Sequence, residues 1–209
     1  MADKPILFSG WKVRAIYAGA DVARRPMNPQ PGGGFFAVGS RLMFGYRHGA
    51  VWFCSHTPGE SRWHHPRCHK GDILYVKEAW RTTEEYDHLP PRDIPRDAVI
   101  EYLATDVPFV LGRYRHARFM CRWMARLWLR VPGEPTPERV RDITEAEAIR
   151  EGCHFGRCEH SCGSDDWPEL HQSAVDEFMC VWSRLHGPDS WERDWDWRYA
   201  FERTEAPHG

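Results

Sequence analysis

The sequence lacks an excess of either charge, since 28 Lys and Arg residues stand against 30 Asp and Glu residues for a formal net charge of -2. Because such a chain is not a global polycation, any nucleic-acid surface on it must be a local cluster of basic residues. It also lacks an apolar run long enough to span a bilayer, and its N-terminus has no charged stretch followed by a long apolar one. We therefore expect a cytoplasmic protein without a membrane partner.

Paired cysteines and internal repeats are missing as well. Seven Cys residues, an odd number, are scattered over 209 residues, which argues against a disulfide framework and favours reduced thiols that can serve as metal ligands. No repeat period or long linker divides the chain, so we expect one domain over residues 1–203 with a frayed tail at 204–209. Two polar insertions are predicted within it, at about 55–70 and about 153–172.

What the chain does contain is a large aromatic content and several short apolar patterns. The 11 Trp, 10 Phe and 7 Tyr residues are typical of a compact β-core or of surfaces that stack on bases. Alternation and aromatic runs predict strands over 41–46, 50–54, 73–80, 99–103, 122–131 and 195–202. Helical spacing with capping residues predicts helices over 11–18, 145–151 and 173–186. These elements predict an α+β domain, most simply a small closed or nearly closed β-barrel with helices on its outside.

The strand over 73–80 carries an acidic residue on an apolar face. A Gly-Asp turn opens this strand, and alternation places Leu74, Val76, Glu78 and Trp80 on one face. A carboxylate among such neighbours is costly unless a cation or several hydrogen-bond donors meet it, so Glu78 must have a partner. Two interpretations follow: a structural ion pair at the strand end, or an acid or base at the mouth of a pocket.

The stretch 122–131 alternates apolar residues with arginines and tryptophans. Its apolar face is predicted to be core, and its other face presents Arg126, Trp128 and Arg130. One interpretation is a solvated strand face whose arginines lie along apolar surface. The other is a platform for phosphates and bases. The candidate nucleic-acid-binding residues are Lys12, Arg24, Arg25, Trp80, Arg122, Trp123, Arg126, Trp128 and Arg130.

Two groups of Cys and His residues are candidate metal sites. The first packs Cys153, Cys158, His160 and Cys162 into ten residues after a predicted helix end, and three thiolates with one imidazole suit structural zinc. Its spacing lacks the usual Cys-x2-Cys pair, so unmetallated thiols are the alternative. The second group has no standard spacing, and solvated loop histidines are its alternative. That group consists of Cys54, His56, His64, His65, Cys68 and His69. A site shared between the groups is a further alternative.

Several short motifs follow one another along the chain, and their order is informative. They are residues 4–10, residues 13–16, the pair Arg24-Arg25, residues 71–80, residues 142–145, and Trp182 followed by Gly187, Pro188, Ser190 and Trp191. In this order they resemble the phage- and prophage-encoded proteins of the ASCH type, within the PUA-like superfamily. The resemblance implies a PUA-like β-barrel in the host bacterial cytoplasm. Its cleft, between the barrel and the first helix, would handle RNA or modified nucleotides.

The resemblance also implies an activity. Some ASCH-type proteins hydrolyse N4-acetylcytidine and others are ribonucleases. By position, Glu78 matches the family's strand Glu, and Arg24 or Arg25 matches its motif Arg. Glu78 would then act as the general base, and Arg24 or Arg25 would stabilise an oxyanion. The family's motif Lys is missing, because residues 20–23 are Ala-Asp-Val-Ala.

Three functions are therefore open. A module that binds RNA, single-stranded nucleic acid or a modified nucleoside is the first expectation. A hydrolase of the ASCH type with Glu78 as base is the second. A catalytically inactive phage protein that binds a host or viral protein is the third, and the missing Lys and the long insertions favour it.

Overall fold

The computed structural model describes residues 3–27, 45–47, 50–53, 62–105, 110–157 and 170–207. The described helices are α1 (Gly10–Ala18), α2 (Glu145–Glu151), α3 (Ala174–His186) and α4 (Ser190–Arg193). In this part of the chain no helix has both the length and the apolar character needed to cross a membrane. The described strands are β1 (Lys4–Leu7), β2 (Val22–Pro26), β3 (Gly45–Arg47), β4 (Ala50–Phe53), β5 (Arg62–His64), β6 (Ile73–Lys77), β7 (Trp80–Arg81), β8 (Glu101–Tyr102), β9 (Trp128–Arg130), β10 (Thr136–Arg139), β11 (Gly156–Arg157), β12 (Leu170–His171), β13 (Trp195–Ala200) and β14 (Glu202–Thr204).

The strands form several small sheets, so the predicted α+β class is confirmed. The larger sheets have the orders β1-β6-β9-β14, β10-β13-β2 and β3-β4-β5, and β7-β8 and β11-β12 are two-stranded. β1 and β6 run parallel, whereas β6 and β9, β9 and β14, and β13 with both its neighbours run antiparallel. No closed barrel is found among the described strands.

The chain divides into two compact units, each assembled from separate segments. Unit 1 consists of Met1–Ala20, Asp72–Arg130 and Phe201–Gly209. It contains β1, α1, β6 to β9 and β14. Unit 2 consists of Asp21–Gly71 and Val131–Ala200. It contains β2 to β5, β10 to β13 and the helices α2, α3 and α4.

The helices agree with the capping signals in the sequence. Thr144 and Glu147 form the predicted capping box of α2, with the backbone N–H of Glu147 donating to Thr144 Oγ1 at 3.3 Å and that of Thr144 donating to Glu147 Oε2 at 3.1 Å. Gly152 ends this helix at a φ of 97°, a left-handed conformation that favours glycine. Ser173 caps α3. Ser9 occupies the N-cap position of α1, but its side chain makes no capping hydrogen bond.

The predicted strand over 73–80 is interrupted at its acidic residue. β6 ends at Lys77 and β7 begins at Trp80. Between them, the backbone N–H of Glu78 donates to Sδ of Met120 at 3.3 Å rather than to a neighbouring strand. Trp80 then exchanges two backbone hydrogen bonds with Arg115. The chain therefore changes partners at the position where it buries a carboxylate.

The predicted strand over 122–131 is also shorter than expected. Arg122–Met124 form a 3-10 turn, and only β9 is extended. Met124 is buried because it packs into a core cluster with Trp80. Trp128 is buried too, and its indole N–H donates to the Ala125 carbonyl at 3.2 Å. The face predicted to be solvated therefore belongs to the core at these two positions.

Unit 2 has a core cluster formed by its helices and the turns beside them. Helical spacing aligns Phe178, Met179, Trp182 and Leu185 on α3; Phe178 and Trp182 are buried in the core, whereas Met179 and Leu185 are exposed. Val140, Ile143, Ala148, Cys153 and Ala174 complete this cluster. From β13 the unit buries the aromatic residues Trp195, Trp197 and Tyr199.

One buried arginine of unit 2, Arg24, forms ion pairs with three carboxylates. Nη1 of Arg24 lies 3.2 Å from Asp196 Oδ2, and Nη2 lies 2.7 Å from Glu138 Oε2 and 3.3 Å from Glu147 Oε2. Burial raises the pKa of Asp196 to about 8, because the attraction of Arg24 does not offset the loss of water around this carboxyl. Burial would lower the pKa of Arg24, but Asp196 and Glu138 together raise it above its usual value.

This cluster makes stability depend on pH. Because the pKa of Asp196 is higher in the folded state, at about 8, than its ordinary 3.8, the folded state holds more protons between these values. The free energy of unfolding should therefore fall as pH rises from 4 to 8, by up to about 1.4 kcal/mol per pH unit for this one group. Urea denaturation of the Asp196→Asn variant at pH 5 and pH 8 should show a smaller decline than the unmutated protein shows. The control is Asp142→Asn, at an exposed position. If Asp196→Asn leaves the decline unchanged, Asp196 is not its source.

Candidate nucleic-acid interface

Glu78 finds its required cation within unit 1. Its side chain is fully buried at the end of β6. Nε of Arg126 donates to Oε1 and Nη2 donates to Oε2, both at 3.0 Å, which is the bidentate geometry of a strong ion pair. The prediction that Glu78 must meet a partner is confirmed. The guanidinium that supplies the partner belongs to Arg126.

Aromatic rings hold this guanidinium in place. Its centre lies 4.0 Å from the ring centroid of Tyr102 and 5.6 Å from that of Tyr17. Nη2 also donates to Oγ1 of Thr105 at 2.5 Å. Arg126 is therefore occupied on one side by a carboxylate, on another by a hydroxyl and across its face by rings. Its positive charge is therefore largely neutralised by Glu78 within unit 1.

The other predicted basic residues of the cleft are also engaged in the interior. Arg24 lies in the three-carboxylate cluster of unit 2 and is not available to a phosphate. Arg25 is half-buried on the same strand, and burial lowers its pKa against the opposing effect of Glu151. Lys12 is buried on α1, with Nζ 5.6 Å from the centroid of the Trp11 ring. None of the three presents its charge on an open surface.

The predicted stacking platform around β9 is largely covered. Trp80 is fully buried with the Arg115 guanidinium 5.2 Å from its ring centroid, so a base cannot reach that ring. Trp123 is half-buried against the Trp80 core cluster. Trp128 lies beneath the guanidinium of Arg122, which is 4.9 Å from its ring centroid. These three indoles serve the core rather than an exposed surface.

The exposed arginines of this platform already have partners. Arg122 forms an ion pair with Asp3. Arg130 forms one with Glu202 on the neighbouring strand β14. Each pair places a carboxylate beside the guanidinium, and that carboxylate repels an approaching phosphate. Both residues are therefore poorer phosphate contacts than the sequence pattern indicated.

The predicted metal sites fall partly outside the described residues. Cys158, His160, Cys162, Cys54 and His56 lie there, so the zinc prediction at the first group stays a prediction. Among the residues that the structure describes, no group of three or more His, Cys, Asp or Glu side chains could hold a metal ion. The described members are Cys153 and Cys68, both buried, with His64, His65 and His69.

A different part of unit 1 presents basic and aromatic side chains to solvent. Between residues 110 and 130 the sequence contains six arginines and no Asp or Glu. The first ten residues of this stretch, hereafter the 110–119 segment, are irregular except for one 3-10 turn, Ala117–Phe119. Neither period-two nor helical spacing predicts anything there, and for that reason sequence patterns missed it. The signal that could have found it is the long stretch without a carboxylate.

Two buried or partly buried carboxylates anchor the first half of this segment. Glu101 is fully buried, and its Oε2 accepts a hydrogen bond from the backbone N–H of Val110 at 3.0 Å. Its Oε1 lies 3.1 Å from Nε of Arg81. Farther along, the carboxylate of Asp87 accepts from the backbone N–H of Arg113, at 3.0 Å to each oxygen. Both anchors hold main chain that no helix or sheet would otherwise fix.

Close packing fixes the backbone between these two anchors. A Cβ placed on Gly112 would lie 1.9 Å from the carbonyl oxygen of Thr82. No side chain fits in that space, and the obstacle is backbone that cannot turn aside. The 110–119 segment thus lies directly against the chain that follows β7.

The middle of the segment is fixed by Arg115. Its backbone pairs with that of Trp80 through two hydrogen bonds, of 2.9 and 3.1 Å. Its guanidinium turns inward, donates to the carbonyls of Leu89 at 3.1 Å and Tyr86 at 2.7 Å, and covers the Trp80 ring. Burial lowers the pKa of Arg115, and neighbouring Arg113 adds to that effect. This residue is a structural arginine.

A capped turn fixes the end of the segment. Nδ1 of His116 accepts a hydrogen bond from the backbone N–H of Arg118 at 3.1 Å. Nζ of Lys77 donates to the carbonyl of Arg118 at 2.6 Å, which ties the turn to the end of β6. Burial lowers the pKa of Lys77.

The anchored segment exposes two arginines beside large apolar side chains. Arg113 and Arg118 are exposed, and within the described part of the chain no side-chain hydrogen bond or ion pair engages either guanidinium. Leu111 is 82%, Tyr114 61% and Phe119 56% exposed. Exposed guanidinium groups and exposed aromatic rings on a fixed backbone can bind phosphates and bases.

Comparisons of this chain with protein-family models, with curated proteins and with solved structures find no match.

The close approach at Gly112 predicts a specific loss of stability. Gly112→Ala places a methyl group against the Thr82 carbonyl and should lower the free energy of unfolding by about 2–3 kcal/mol. Gly133→Ala is the matched control, because nothing lies within 4 Å of its Cβ position, and it should be close to neutral. Urea denaturation measures both. Equal stability of the two variants would contradict the packing described for the segment.

The Glu78–Arg126 pair makes a second stability prediction. Glu78→Gln keeps the shape of the side chain but removes the buried charge, so it should lower the free energy of unfolding by about 2–3 kcal/mol. Glu202→Gln breaks an exposed Glu–Arg pair of the same unit and should cost less than about 1 kcal/mol. Chemical denaturation under identical conditions gives the comparison. A Glu78→Gln variant as stable as Glu202→Gln would show that the buried pair does not hold unit 1 together.

Proposed function

We propose that the protein binds single-stranded nucleic acid, RNA foremost, through the 110–119 segment of unit 1. The observation that carries this proposal is the exposed set of Arg113, Tyr114, Arg118 and Phe119. Their backbone is held by buried or partly buried groups, so the positions from which these side chains extend are fixed before a ligand arrives. Such preorganisation lowers the entropy that binding must offset.

The exposed groups complement the two chemical parts of a single strand. Arg113 and Arg118 can each meet a phosphate without breaking an internal ion pair, so their full charge is available to the ligand. Tyr114 and Phe119 offer ring faces on which unpaired bases stack, at about 1–3 kcal/mol per base. A single strand is favoured over a duplex because the bases of a duplex are already stacked on one another.

The ASCH-type, PUA-like and phage assignment belongs to the same proposal. It is supported by the order of the motifs along the chain and by the burial of Glu78 at the end of β6. A modified nucleoside is the ligand class that this assignment adds to RNA.

A hydrolase has less support. Glu78 is fully buried and its charge is neutralised by Arg126, whereas a general base needs a water molecule beside its carboxylate. A host or phage protein is the alternative partner for the 110–119 segment. The exposed Leu111 favours it, because an aliphatic side chain contributes to protein interfaces more than to base stacking.

The salt dependence of binding should correspond to two phosphate contacts, one from each of Arg113 and Arg118. A fluorescein-labelled oligouridine of about 12 nucleotides should bind at about 50 mM salt. Two phosphate contacts give a slope of about -1.4 in log K against log salt for a single strand. Fluorescence anisotropy measures the slope. Undetectable binding of both oligouridine and the matching DNA strand at low salt would refute the proposed function and favour a protein partner.

Removal of the two charges should weaken binding at this segment alone. Arg113→Ala/Arg118→Ala should lower affinity at least tenfold and flatten the salt slope, because the two phosphate contacts are lost. The matched control is Arg92→Ala/Arg96→Ala, which removes the same charge from exposed positions elsewhere in unit 1. Control binding should stay within about twofold of the unmutated protein. Equal losses in both double variants would mean that net charge, and not this segment, attracts the ligand.

A further inference from the structure

His116 belongs to the 110–119 segment and is exposed. In sequence it lies between Arg113 and Arg118, two residues after Tyr114, and it caps the turn that ends the segment. In the proposed function the arginines contact phosphates and the rings stack on bases, and this imidazole has no role.

One ring nitrogen of His116 is already committed. Nδ1 accepts a hydrogen bond from the backbone N–H of Arg118 at 3.1 Å. A nitrogen that accepts cannot carry a proton, so the neutral ring must carry its proton on Nε2. The cap thereby selects one tautomer and holds the ring in one orientation. Nε2–H is left as a donor on an exposed ring.

We propose that His116 donates from Nε2 to a phosphodiester oxygen of the single strand bound by the 110–119 segment. This inference rests on the proposed function and deepens it, because it adds a neutral phosphate contact to the two charged ones. The ligand group is a phosphate oxygen because phosphodiester oxygens are acceptors only. They repeat along any strand, so the contact carries no sequence preference.

The donor is distinct from the two arginines in its response to salt. A neutral imidazole releases no counterion when it binds a phosphate, so its loss should reduce affinity without changing the salt slope. Loss of an arginine changes both. The salt slope therefore distinguishes a neutral hydrogen bond from His116 from a charged contact. A purely structural role is distinguished by comparing two substitutions that both keep the cap of the turn.

Two substitutions test the proposal. In His116→Asn the side-chain oxygen can cap the turn, and the amide N–H, whose reach is about one bond shorter than that of Nε2–H, can still donate to a flexible strand. In His116→Ser the hydroxyl caps the turn but is too short to reach the ligand. At pH 7.5 with the labelled oligouridine, His116→Ser should bind about tenfold more weakly than the unmutated protein. His116→Asn should bind within about twofold, and both should keep the unmutated salt slope.

The outcomes are distinguishable. If His116→Ser binds as tightly as the unmutated protein, or His116→Asn binds as weakly as His116→Ser, the phosphate donor is refuted while the proposed function stands. A lower salt slope in His116→Ser would refute a neutral contact. Thermal unfolding of both variants should match that of the unmutated protein, and a shared loss of stability with a shared loss of binding would identify His116 as structural only. Absence of binding by the unmutated protein would refute both proposals.

Discussion

A carboxylate withdrawn from water must find a cation or hydrogen-bond donors in the interior, and this constraint organises unit 1. Glu78 takes the guanidinium of Arg126, and Glu101 takes a backbone N–H from Val110 with the guanidinium of Arg81 beside it. Val110 opens a segment in which hardly any helix or sheet bonds fix the backbone. The high cost of an unpaired buried charge therefore holds in place a part of the chain that regular hydrogen bonding does not.

The same constraint sorts the arginines of residues 110–130 by role. Arg126 neutralises a buried carboxylate, and Arg115 satisfies carbonyls and covers an indole. A guanidinium that has a carboxylate beside it is a weaker phosphate contact, because the carboxylate repels the phosphate. By that criterion the exposed Arg113 and Arg118 differ from their neighbours, although all are the same residue type. Basic composition identifies the region, and the ion pairs decide which of its members are available.

Local rules explain what could be predicted from the sequence. The capping box of Thr144 and Glu147 depends on residues three apart, and the burial of Glu78 follows from alternation along one strand. The identity of the partner of Glu78 could not follow from such rules. Arg126 is 48 residues away in sequence, and nothing local distinguishes it from Arg24, which tertiary packing places in another cluster. Pairing across that distance is a property of the fold.

The exposed 110–119 segment was missed because the aromatic residue that looked most suited to stacking, Trp80, is buried in the fold. Trp80 has the greatest apolar area to gain from burial, so the core takes it and Arg115 covers its ring. The two backbone hydrogen bonds between Trp80 and Arg115 turn the Arg115 side chain inward, and Tyr114 and His116 on either side of it are left exposed. Burial of the indole and exposure of the smaller rings are thus consequences of one pairing.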